Sequence, residues 1–113
     1  MRRRVLPVLA VLVGALTGIV ATDALAGART AANRNVVLVH NRFHPGHLVL
    51  HRGDTVTWLW RDGSVQHNVV SMSFRGLVNP KSRGSLTVRF NRGGSYFYYC
   101  TIHPGMTGTI VVH

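Results

Sequence analysis

Between residues 36 and 112 no strand-like run is longer than about six residues, and a turn signal separates most neighbouring runs. The runs are Val36 to His40, Leu48 to His51, Thr55 to Trp60, Asn68 to Ser73, Ser85 to Phe90, Tyr96 to Cys100 and Thr109 to Val112. All are rich in β-branched and aromatic side chains. The stretches "HPGH", "RGD", "RDGS", "NPKSRGS" and "NRGGS" lie among them and carry the glycine, proline and asparagine that tight turns use. No window of useful length has the 3.6-residue apolar period of a helix. Seven short strands with frequent turns predict an all-β chain, a Greek-key β-sandwich. Alternation assigns faces. Val56 and Trp58 share one face of their strand. Tyr96, Tyr98 and Cys100 share one face of theirs, with Phe97 and Tyr99 on the other.

The first 34 residues do not fit this pattern. Arg2, Arg3 and Arg4 precede an apolar run from Val5 to Val20, and Ala24-Leu25-Ala26 is a small-x-small cleavage signal. This is the form of a secretory signal peptide, expected over 1–26. The run is short for a membrane span, which needs about 20 apolar residues. A retained anchor is the competing reading. Residues 27–34 read as a flexible tail and 35–113 as the folded domain. Ala28 stands where a lipidated cysteine would be needed, so no lipid anchor is expected. A domain this small usually needs a staple. Exported proteins use disulfides, but Cys100 is the only cysteine and cannot close one within the chain. A bound metal is the other common staple.

The stretch "YYCTIHPGMTG" supplies candidate ligands: Cys100, His103 and Met106. Thiolate and imidazole bind copper strongly, and a thioether is a weak, soft donor. The spacing C-x2-H-x2-M lets one tight loop turn all three towards one ion. Gly105 and Gly108 are expected to let the backbone bend, and Pro104 to stiffen it. A trigonal site of two imidazoles and a thiolate needs one more histidine, from a distant segment. "VQHNVVS" offers His67. Taken singly, each residue has an ordinary role: a buried small apolar side chain for the cysteine, surface or core for the histidine, gap-filler for the methionine. In this order, at the mouth of a strand, the metal reading is the stronger one.

These motifs resemble the cupredoxins, the small blue (type 1) copper proteins of the plastocyanin, amicyanin and pseudoazurin group. "FHP" at 43–45, "GDTVTW" at 53–58, "HNV" at 67–69, "GSYFYYC" at 94–100 and "CTIHPGMTGTIVV" at 100–112 carry the resemblance, which covers about residues 36–112. The short spacing from His103 to Met106 is most similar to amicyanin. The resemblance implies a cupredoxin-like sandwich and one copper ion cycling between Cu(I) and Cu(II). It also implies His67, Cys100 and His103 as equatorial ligands, Met106 as axial ligand, and Asn68 bracing the Cys100 loop from outside the ligand set. One departure is Trp60 in "WLWRDG", where the family often has asparagine. No hydrogen bond is carried over for the turn from 61 to 66.

The function expected on these grounds is electron transfer by an exported protein, periplasmic or at the cell envelope. Its partner would be a redox protein, and an acidic one. Cleavage after Ala26 leaves ten basic residues against Asp54 and Asp62, a net charge of +8 with histidines neutral, and charge of one sign steers a partner of the other. The alternative is a protein that captures or delivers copper, which the crowding of His40, His44, His47 and His51 would suit; surface histidines are the plainer reading. An enzyme is not expected. There is no H-x-H pair for a trinuclear cluster and no second cysteine for a binuclear one, and four side-chain ligands leave no open position for substrate. The basic residues are scattered, with no basic helix or stacking motif for nucleic acid. A monomer without a stable membrane span after cleavage is expected.

Overall fold

The computed structural model describes residues 29–113. The expected signal segment, its cleavage position and the start of the expected tail lie outside the described residues. The architecture is that of the unit Ala31–His113.

The described chain is all β, with nine short strands where about seven were expected. In chain order they are β1 (Asn33–Val39), β2 (Arg42–His44), β3 (His47–Leu50), β4 (Asp54–Trp60), β5 (His67–Val69), β6 (Leu77–Lys81), β7 (Gly84–Phe90), β8 (Gly94–Tyr99) and β9 (Thr107–Val112). One sheet has the order β2-β1-β4-β7, a second β3-β9-β8, and β5 pairs with β6. Strands β1 and β4 run parallel, as do β3 and β9. A parallel neighbour cannot be joined by a tight hairpin, so the chain crosses between sheets.

Alternation builds the core. In β4 every second side chain, Asp54, Val56, Trp58 and Trp60, is buried. Parallel pairing aligns Val36 of β1 with Trp58, and antiparallel pairing aligns Leu86 of β7 with it. From the facing sheet come Leu48, Leu50, Tyr98, Ile110 and Val112, all buried. The sheets meet at Trp58 and Tyr98, whose rings pack edge to face at 5.3 Å, and Phe43 adds an edge contact to Tyr98 at 4.7 Å. Each such pair adds about 0.5–1.5 kcal/mol beyond burial. Asp54, the one buried carboxylate among the described residues, accepts backbone N–H bonds from Ala32 and His51, each at 2.9 Å, and so closes the turn into β4.

Three local departures from expectation have physical causes. β2 was not among the expected strands and shares only His44 with the turn signal "HPGH"; its three residues pair with the end of β1. β6 contains Pro80, part of a turn signal in the sequence, and is tolerated because β6 pairs on one side only, with β5. β1 starts at Asn33, within the stretch read as a tail, because Asn33 and Arg34 pair with Thr55 and Val56.

Strand β5 positions the site. It was expected to continue to Ser73 but ends at Val69 after a shift in register. Val70 then changes partner and exchanges both backbone hydrogen bonds with Tyr99, at 2.9 and 3.0 Å. That bridge brings the segment carrying His67 against the strand end carrying Cys100.

Candidate metal centre

Cys100 follows the last residue of β8, and His103 and Met106 lie in the loop before β9. This loop closes on itself: the Cys100 amide donates to the Met106 carbonyl at 3.0 Å, and the Met106 amide to the His103 carbonyl at 3.1 Å. Gly105 takes a φ of 84°, the left-handed conformation that glycine adopts without penalty. Gly108 has a different task from the bending expected of it. A Cβ there would lie 2.2 Å from Cζ of Tyr98, so the absence of a side chain lets the hydroxyl end of the tyrosine come close against the backbone.

The structure brings His67, Cys100 and His103 together. Their candidate donor atoms all lie within 4.8 Å of one another, the only such group of three or more among the described residues. Nδ1 of His67 is 3.1 Å from Nδ1 of His103, and Cys100 Sγ is 3.6 Å from the latter. His67 is fully buried, Cys100 and Met106 nearly so, and His103 half-buried. Met106, Cys100 and His103 line one shallow depression together with Phe97, Tyr99 and Pro104.

The donor set fits a metal ion. Two nitrogen donors each about 2 Å from one ion lie about 3–3.5 Å apart across trigonal or tetrahedral angles, and a longer metal–sulfur bond widens the gap to a sulfur, in keeping with 3.1 Å between the two imidazole nitrogens and 3.6 Å from Cys100 Sγ to His103. Nε2 of His67 lies 2.8 Å from Asp62 Oδ2. A carboxylate only accepts, so Nε2 carries a proton in this contact, and Nδ1, the nitrogen 3.1 Å from His103 Nδ1, is the one left to hold a metal. Soft sulfur beside two imidazoles is a copper donor set.

Neighbouring groups hold these side chains in place. Asn68 donates to the Val78 carbonyl and to Thr101 Oγ1, both at 2.8 Å, and accepts from the Thr101 amide at 2.8 Å. It thus ties β5 both to the chain at β6 and to the residue after Cys100. Two further groups escaped the sequence reading, which carried nothing over for "WLWRDG". The Trp60 indole donates to the His67 carbonyl at 2.9 Å, and Lys81 Nζ sits 4.7 Å above the Trp60 ring. Asp62 holds the His67 ring; the His67 hydrogen bond, then the Asn41 amide, pull its pKa down to about 2. A signal was present, an aspartate in a glycine turn five residues before a candidate ligand, but sequence spacing alone does not show where such a turn points.

The four early histidines, His40, His44, His47 and His51, are all exposed, and none belongs to the donor group.

Residues 35–113 match the family described as copper binding proteins, plastocyanin/azurin family. The chain is 38% identical over 68 residues to amicyanin of Paracoccus versutus, covering 53% of this chain and 49% of that protein, so it spans about half the length of that relative. It is 31% identical over 88 residues to amicyanin-alpha of Methylorubrum extorquens, covering 73% of each. Among solved structures, a purple cupredoxin from Nitrosopumilus maritimus superposes with a TM-score of 0.63 at 26% identity, covering 71% of this chain and 99% of that one.

Proposed function

This chain belongs to the plastocyanin/azurin family of copper-binding proteins, and on that premise we propose that it is an exported single-copper electron carrier, whose metal would be held by His67, Cys100 and His103 with Met106 as a weak further donor. The observation that carries the reading is the convergence of two imidazole nitrogens and one cysteine sulfur at 3.1 and 3.6 Å. Bound there, copper supplies a one-electron couple between Cu(I) and Cu(II).

The chain's own residues supply the rest. Burial of His67, Cys100 and Met106 keeps water from the donors. Asn68 and the closed 100–106 loop limit how far the donors can move when the charge of the site changes. His103 alone of the four is half-buried, beside the exposed Pro104 and Ile102. An electron would leave by this edge, across a small apolar contact that releases quickly. The partner on this reading is an acidic redox protein, and the location is the periplasm or cell envelope, resting on the character of residues 1–26. Among the described residues no helix is long and apolar enough to cross a membrane.

The test is spectroscopic. Cu(II) added to the purified protein should give an intense visible thiolate-to-copper band, and Cys100→Ser should abolish the band while leaving the fold intact. A pale wild-type spectrum, or an equally intense serine variant, would overturn the assignment. Rapid surrender of copper to a chelator, with slow electron exchange, would favour capture and delivery instead.

A further inference from the structure

The contact between Asp62 and His67 has no counterpart at His103. Asp62 lies in the loop after β4, its side chain 14% exposed, and the imidazole it meets is wholly buried. Besides Nε2 of His67 it accepts the Asn41 amide at 3.1 Å. Asn41 and His40 form the turn between β1 and β2, with φ of 55° and 54°. Two successive left-handed residues are the backbone of a tight hairpin turn. One carboxylate therefore fastens that hairpin to the buried ring. The backbone of the same residue is held as well, by the Trp60 indole bond to the His67 carbonyl.

Two consequences follow from the chemistry of imidazole. A neutral ring carries one proton, on either nitrogen, and the partner of one nitrogen decides which. With Nε2–H directed at a carboxylate, a neutral ring leaves Nδ1 bare, and Nδ1 lies 3.1 Å from Nδ1 of His103. A negative charge on the far side of the ring also makes Nδ1 a stronger donor. A stronger donor, and a nearby negative charge, favour the more highly charged metal.

We propose that Asp62 is a positioning residue of the copper site, which fixes His67 in the Nε2–H tautomer and, through the ring, strengthens the hold on Cu(II) relative to Cu(I). The proposal rests on the ligand assignment above and concerns how one ligand is tuned. Asp62 does not touch the metal on this reading. A contact that merely supported the fold would leave tautomer and potential unmoved when the charge is removed.

The experiment uses the full folded protein with and without copper. In the metal-free wild type, nitrogen NMR of the His67 ring should show the proton on Nε2. A proton on Nδ1, or rapid exchange between the two, overturns the proposal without any variant. Asp62→Asn keeps an acceptor oxygen without the charge, and Asp62→Ala removes both. In the copper-loaded proteins, Asp62→Asn should weaken Cu(II) relative to Cu(I) binding about tenfold, a rise of about 59 mV in reduction potential. Asp62→Ala should raise it at least as far and, metal-free, release the tautomer. Unchanged potentials in both variants overturn the proposal even where thermal stability has fallen. Failure of the ligand assignment is separate: the wild-type protein would then lack the thiolate-to-copper band.

Discussion

At the scale of single residues, one close contact between a glycine backbone and an aromatic ring sets much of the tolerance of the copper end. Gly108 lies under the ring of Tyr98, and a methyl group there would overlap ring atoms at 2.2 to 2.7 Å. Gly108→Ala should therefore destabilise the protein by about 1–3 kcal/mol, the range for overpacking a closed site, as measured by urea unfolding. Tyr98 is itself almost wholly buried, and desolvation pushes its phenol up to about 12, against about 10 in an unfolded chain. The folded state thus keeps its proton where the unfolded state has lost it. The associated stability is complete below pH 10 and is lost as pH rises towards 12, on the order of 2–3 kcal/mol in all. Tyr98→Phe should flatten that part of the stability profile in metal-free protein. A variant that declines as steeply as the wild type between pH 10 and 12 would show that another group is responsible.

At the scale of elements, the site is a junction between β5 and the end of β8. Asn68 makes three of the hydrogen bonds across and around it. Asn68→Ala removes three hydrogen bonds to Val78 and Thr101, each worth about 0.5–1.5 kcal/mol net. The fold should survive, with a lower melting temperature and faster release of copper to a chelator. Release at the wild-type rate would mean that the 100–106 loop holds its own shape. Much of this junction was legible in the sequence. Period-two alternation gave the buried face of β4, and the cysteine, histidine and methionine spacing gave the loop. What was not legible depends on contacts distant in sequence. β2 and β6 are short edge strands whose histidine and proline read locally as turns. Trp60 and Asp62 sit five to seven residues before His67, and only the path of the loop after β4 brings their polar atoms back to it. The bending role expected of Gly108 failed for a similar reason: only the fold shows that a ring from β8 lies against it.

At the scale of the whole molecule, charge is the dominant property. Arg42 directly follows the turn whose amide binds Asp62, and Arg61 directly precedes Asp62, so both lie at the copper end. Arg92 lies before β8, at the end of that strand away from Cys100, and its carbonyl accepts the Tyr96 hydroxyl at 2.6 Å. With the acidic partner proposed above, electron transfer should slow steeply as salt is raised, because screening sets in over about 8–10 Å at ordinary ionic strength. Arg42→Glu and Arg61→Glu should slow association, and Arg92→Glu should do so far less, with the copper spectrum unchanged in all three. Stopped-flow rates across a salt series measure this, and a rate indifferent to salt would leave apolar docking alone. The two aspartates have a further effect. One is buried in the turn into β4 and the other is engaged by His67 and the β1–β2 turn, so the described surface has almost no side-chain anion to set against its arginines. Copies of this protein repel one another on every approach that charge decides. Two copies brought together through their basic faces would meet like charge, a cost that a protein of opposite charge docking at the edge around His103 would not meet.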